Sequence, residues 1–147
     1  MSNRLAHKLR ACGVRRDSIV GLILDRTVFL PVAEMAVLKS GGAFLGILPD
    51  YPDDRIAYCL SDADSLAVVT TADIKASRPE LFGEDKPYHT FVLEEVLNDG
   101  PDDNLDIDIP IDISLCVDVA NNFFSDVELC TNFCEGRQKF YGFEFME

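Results

Sequence analysis

The residues of this chain that could do chemistry are five cysteines, two histidines and a large excess of carboxylates. Their spacing decides how far each can be taken. Cys130 and Cys134 form a C-x3-C pair, but a closed zinc site needs paired hooks of the CxxC or HxxxH kind, and only His7 and His89 stand elsewhere. Reduced thiols are the simpler expectation. Cys12 and Cys59 fall on apolar helix faces, where a thiol acts as a small hydrophobe, and Cys116 lies with the C-x3-C pair in the tail. His7 belongs to the exposed side of a first helix and His89 begins a strand, so neither is set beside a nucleophile or a carboxylate in a catalytic spacing. The stretch DDNLDIDIPID, residues 102–112, offers oxygens to a hard cation but lacks the glycine-containing twelve-residue loop ending in Glu that an EF-hand requires. The sequence nominates no catalytic residue, no cofactor-binding residue and no metal ligand.

Phosphate chemistry fares no better. Ser40-Gly41-Gly42 is the one small-residue cluster of note, and it falls at the carboxyl end of a helix, where the dipole is negative and carbonyls rather than amides are unpaired. Neither GxxxxGK[ST] nor GxGxxG occurs. The glycines read as a helix stop followed by a close-packed strand.

The elements around these residues follow a regular alternation. Ser2 or Asn3 can cap a first helix whose Leu5, Leu9 and Cys12 recur at helical spacing, with Gly13 placed to end it. Residues 19–24 are an almost unbroken apolar strand, the pattern of a parallel strand covered on both faces. Thr27 caps a second helix with Pro31 confined to its first turn, and Val32, Met35, Ala36, Val37 and Leu38 leave it hardly any polar face, which predicts a buried helix. Residues 43–48 form the next strand. Pro52, Asp53 and Asp54 open a third helix with Ile56, Ala57, Cys59 and Leu60 on one face, and residues 66–71 form a third strand. Ile74, Leu81 and Phe82 belong to a short helix, and residues 88–93 to a fourth strand feeding residues 94–97. Strand and helix alternating with short connections predict an α/β fold, a layered parallel sheet with flanking helices.

Three regions result: an α/β unit at 1–97, an acidic linker at 98–112 in which crowded aspartates, Pro and Gly predict mobility, and a tail at 113–147. In the tail, residues 113–117 can form a strand and residues 139–145, KFYGFEF, alternate sides. Charge is split as unevenly as structure. Residues 1–50 carry +3 and residues 51–147 carry −16, within a total of −13. A chain this acidic is a poor partner for nucleic acid, and Arg4, Lys8, Arg10, Arg15 and Arg16 read as a solvated helix face. The longest apolar run, residues 28–38, is interrupted by Pro31 and Glu34 and falls short of the roughly 20 residues that span a bilayer. No membrane association and no secretory signal are expected, which predicts a cytoplasmic protein.

Several local stretches resemble amino-acid adenylation domains, the AMP-forming enzymes of nonribosomal peptide synthesis. SNRLAHKLRACGV, residues 2–14, looks like the helix and turn after the family's opening motif. IVGLILDR, residues 19–26, looks like its first sheet strand, and LKSGGAFLGILPDYPDDRIAYCLSDA, residues 38–63, like its second core motif. Phe44, Gly46 and Leu48 depart from the Tyr, Pro and Asp usual there. PIDISLCV, residues 110–117, looks like the strand that leads into the family's phosphate loop, and at Asp118 the resemblance ends.

The resemblance implies part of the family's N-terminal subdomain. In the complete family ATP and Mg²⁺ serve to activate an amino acid as its adenylate, which then passes to a carrier-protein thiol. The phosphate loop, the later aromatic and acidic motifs and the catalytic lysine that do this have no counterpart here, so the expectation is a truncated adenylation domain, inactive as this chain, with no cofactor of its own and with self-association through an exposed sheet edge or apolar face. The alternative is a noncatalytic α/β module that binds another protein through its aromatic tail, Phe123, Phe124, Phe133, Phe140, Tyr141, Phe143 and Phe145.

Overall fold

The computed structural model describes residues 1–98, 100–105 and 116–118. Its elements run α1 (Ser2–Ala11), β1 (Ile19–Ile23), α2 (Phe29–Ser40), β2 (Ala43–Ile47), α3 (Asp53–Asp62), β3 (Ala67–Thr70), α4 (Ala72–Ser77), a 3-10 turn (Pro79–Leu81), β4 (His89–Val92), α5 (Leu93–Val96) and β5 (Cys116–Asp118). The strands form one five-stranded sheet in the order β4-β3-β1-β2-β5. Every pairing is parallel, with Gly21 of β1 opposite Leu45 of β2 on one side and Val68 of β3 on the other. The α/β layer architecture expected from the alternation is therefore the one found.

The step from β1 to β2 and the step from β2 to β3 run in opposite directions across the sheet. With right-handed crossovers their helices must then lie on opposite faces. Strand alternation builds a separate core on each. Val20 and Leu22 of β1, Phe44 of β2, and Ala67 and Val69 of β3 pack with α1, α2 and α5. Ile19 and Ile23 of β1, Leu45 and Ile47 of β2, and Val68 of β3 pack with Ile56, Cys59 and Leu60 of α3. All five residues of β1 are buried, as a central strand covered on both faces must be.

Punctuation follows local chemistry. Gly41 ends α2 at φ +86, with Gly41 N–H donating to Leu38 O and Gly42 N–H to Val37 O, a left-handed cap that a side chain would strain. Asp53 and Asp54 sit in the first turn of α3, where the dipole favours them. Thr71 Oγ1 accepts from Ile74 N–H and caps α4.

Some expectations change. Neither Ser2 nor Asn3 caps α1, which starts from Met1 with no side-chain cap; both side chains accept instead from Lys39 Nζ of α2, at 3.2 and 2.7 Å. Thr27 Oγ1 accepts from Phe29 N–H, but the cap position belongs to Val28. Helix α2 is buried on one side only. Ala33, Ala36 and Val37 are covered while Val28 is 77% and Met35 49% exposed, because one face rests on α1 and the sheet and nothing among the described residues lies over the other. Ala57 likewise faces solvent, since α3 presents Ile56, Cys59 and Leu60 inward.

Candidate functional site

In parallel α/β sheets, ligands gather at the carboxyl ends of the strands, and a cleft of about 480 Å³ opens there between β1, β2 and the start of α2. Strand β1 contributes Leu22, and Leu24 follows directly after it. Strand β2 contributes Phe44, Gly46 and its last residue Ile47, Leu48 follows directly after it, and α2 with its preceding turn contributes Arg26, Thr27, Leu30 and Glu34. Alternation places Phe44, Gly46 and Leu48 on one side, because residues two apart share a face. The three positions at which the chain departs from the adenylation pattern thus lie together on the wall of one cleft.

The chemistry of this wall is limited. Thr27 Oγ1 already accepts from Phe29 N–H at 3.3 Å, and Arg26 and Glu34 each have a partner. The lining offers one guanidinium and one carboxylate over an apolar floor, with no imidazole, thiol or amine to act as base or nucleophile.

The residues nominated by their chemistry lie apart from it. His7, on α1, is half-buried and its Nε2 lies 3.1 Å from Asp103 O. His89 is exposed at the start of β4. Cys12 donates its Sγ to Leu9 O within the α1 core, whereas Cys59 packs in the α3 core across the sheet. Burial pushes both thiols up from their ordinary value of 9.0, which disfavours the reactive thiolate. Cys130 and Cys134 lie outside the described residues, as do the aromatic tail and the 139–145 alternation. Among the described residues no three His, Cys, Asp or Glu side chains come together as metal ligands.

The basic residues of the first helix are engaged as hydrogen-bond donors rather than simply solvated. Arg10 Nη1 donates to Val14 O and to Ser40 O, and Arg15 Nη1 to Arg10 O and Val14 O. The Ser40-Gly41-Gly42 turn therefore presents the Ser40 carbonyl to a guanidinium. A Cβ at Gly42 would fall 2.7 Å from Val14 Cγ1, so the glycine admits a neighbouring side chain and not a phosphate. Among the described residues, the Gly41 and Gly42 amides of this turn already donate to Leu38 O and Val37 O and do not fit a phosphate of ATP.

Residues 1–112 match the AMP-binding enzyme family. The chain belongs to this family. It is 39% identical to tyrocidine synthase 3 of Brevibacillus parabrevis over 93 residues, which are 63% of the chain and 1% of that synthase. The nonribosomal peptide synthetase FmoA3 in its α-methyl-L-serine-AMP bound form superposes on 65% of the chain, using 10% of its own, with 26% identity and a TM-score of 0.58. A long-chain-fatty-acid-CoA ligase, FadD1 of Archaeoglobus fulgidus, covers 83% of the chain with 26% of its own at a TM-score of 0.68; its 17% identity speaks for the fold alone. The chain thus corresponds to a small part of an adenylation domain, and it spans only a few hundredths of the curated relatives it matches.

Within the family frame, β5 runs beside β2 with Cys116 opposite Phe44 and Asp118 opposite Gly46. This strand is the one whose sequence resembles the lead into the phosphate loop. The residues that follow it in sequence, VANNFFSDVELC, hold no glycine and no lysine.

Proposed function

We propose that this chain is a scaffold portion of an amino-acid adenylation domain, and that it does not form an aminoacyl adenylate by itself. The observation that carries this reading is the family match over residues 1–112 combined with a sequence that never supplies a glycine-rich loop ending in lysine. Stabilising charge on a transferring phosphate takes pre-placed amides, a lysine and a metal, and the cleft at the strand ends offers none of these. Amino-acid choice and transfer to a carrier protein then belong to other parts of such a domain. The chain has no role with nucleic acid or membrane on this reading. No helix among the described residues is long and apolar enough to cross a bilayer, and we place the protein in the cytoplasm.

The test is ATP-pyrophosphate exchange by the purified chain across all proteinogenic amino acids. No exchange above a heat-treated control is expected. Reproducible exchange that is lost on substitution of a residue in the cleft wall would overturn the reading.

A further inference from the structure

The sheet order places β4 and β5 at opposite edges, so the chain between them must travel the full width of the sheet, roughly four strand spacings of about 4.8 Å. After α5, residues 100–105 are the described part of that crossing, and they do not hang free. Arg4 Nη1 donates to Leu97 O at 2.8 Å, and Arg4 Nη2 lies 3.5 Å from Asp102 Oδ2. Asn3 Nδ2 donates to Asp102 O at 2.7 Å and to Asn104 Oδ1 at 3.2 Å, and His7 Nε2 lies 3.1 Å from Asp103 O. Leu105 then packs against the core that α1, α2 and α5 share with the sheet.

Asn3 is the centre of this set. Its Oδ1 accepts from Lys39 Nζ of α2 at 2.7 Å, which turns the amide nitrogen toward the strap. A lysine on one helix therefore orients an amide on a second, and that amide holds the backbone of a third segment. The Arg4 pair is a minor part of the clamp, because Asp102 is largely exposed and such pairs are screened by solvent. The carbonyl contacts carry the specificity, since they hold the backbone whatever the charge on the strap.

We infer that the first turn of α1 and Lys39 form a clamp that steers the crossover, and that the clamp sets β5 in register on β2. Leu105 and Cys116 are separated by ten residues of sequence, so fixing the strap shortens the length of chain over which β5 must be brought to β2, and bringing two points of a chain together is easier when fewer residues separate them. The inference concerns the folding of this chain and does not depend on the adenylation reading.

Amide hydrogen exchange on the full chain tests it, with Asn3→Asp as the first variant. An Asp there still accepts from Lys39 and suits the first turn of a helix, but it cannot donate to Asp102 O. About a threefold loss of protection is expected in two places, the amides of residues 102–105 and those of β2 that face β5, while the β1 and β3 amides are unchanged. Lys39→Met should act in the same direction and Lys39→Arg should restore protection. Asn104→Ala, on the exposed strap itself, gives a smaller loss at the same places and guards against a variant that fails to fold. Unchanged protection at both places in Asn3→Asp and Asn104→Ala overturns the inference. So does a looser strap with β2 unaffected, or a uniform loss across the whole sheet in both variants.

Discussion

Leu60 of α3 rests against the bare Cα of Gly21 in the central strand, so closely that a Cβ at Gly21 would fall 2.5 Å from Leu60 Cδ2. Gly21 keeps no positive φ, and its role is to let α3 approach the sheet. Leu60 is 1% exposed, so any shift it makes must be into the packed core. Gly21→Ala should therefore destabilise the fold by about 1–3 kcal/mol through overpacking, and Leu60→Ala by about 2–5 kcal/mol through the cavity it leaves. The double variant should lose less than the two added together, because each change relieves the other. Urea unfolding of the four proteins measures the coupling, and strict additivity would show that the two residues do not compete for one space.

Two adjacent threonines should respond in opposite senses. Thr70 is fully buried and its Oγ1 has no hydrogen-bond partner among the described residues, whereas Thr71 Oγ1 accepts from Ile74 N–H and caps α4. Thr70→Val removes a desolvated hydroxyl and should stabilise by about 1 kcal/mol. Thr71→Val removes a cap and should destabilise by about 0.5–2 kcal/mol. Thermal unfolding midpoints moving in the same direction for both would contradict this.

Stability should fall in alkali. Tyr88 donates its hydroxyl to Leu81 O, and burial, with Asp85 nearby adding to it, pushes its pKa up from 10.0. A group whose folded pKa is raised contributes stability that is whole below the unfolded value and is lost as pH rises through the folded one. Cys12 and Cys59, pushed up by burial from 9.0, begin the same loss earlier. Denaturation midpoints should hold steady up to about pH 9 and then decline, because loss begins at the ordinary thiol value of 9.0 and phenol value of 10.0. Tyr88→Phe should lower the neutral-pH midpoint and flatten the decline above pH 10. A decline of unchanged slope in that variant would assign the alkaline transition to other groups.

Association between copies is expected through the uncovered side of α2. Val28 and Met35 lie a helical repeat apart, both exposed, and a single apolar stripe of this kind attracts another. The net charge of −13 opposes approach at low ionic strength, and salt screens it over about 10 Å at 0.1 M. Sedimentation should show association rising with salt and abolished by Val28→Lys with Met35→Lys. A monomer at all salt concentrations would remove α2 from consideration.

Much of this architecture was legible from residue patterns. The apolar runs at 19–24, 43–48 and 66–71 became Ile19–Ile23, Ala43–Ile47 and Ala67–Thr70, each shorter only at its ends, because strands buried on both faces leave an unbroken apolar signal. Gly41 announced its left-handed cap in the same way. The strap was not legible. Asp102, Asp103 and Asn104 read as a repelling acidic linker, whereas the structure holds two of them by backbone carbonyls, and a carbonyl has no signature in sequence. The open side of α2 was hidden for a related reason: apolar residues all round a helix say that it wants covering, not what covers it. Cleft residues such as Arg26 and Glu34 were missed because they lie far from the β2 wall in sequence, although the period-two spacing of Phe44, Gly46 and Leu48 already placed that wall on one face.

A segment exchange tests most directly whether this chain supplies scaffold and no chemistry. Residues 1–112 would replace the superposing segment of FmoA3, a synthetase whose structure holds α-methyl-L-serine-AMP, and the chimera would be assayed for ATP-pyrophosphate exchange after its unfolding midpoint is matched to the parent. The account predicts exchange that persists with α-methyl-L-serine as the preferred amino acid. A folded chimera with no exchange, or one with a new amino-acid preference, would contradict it.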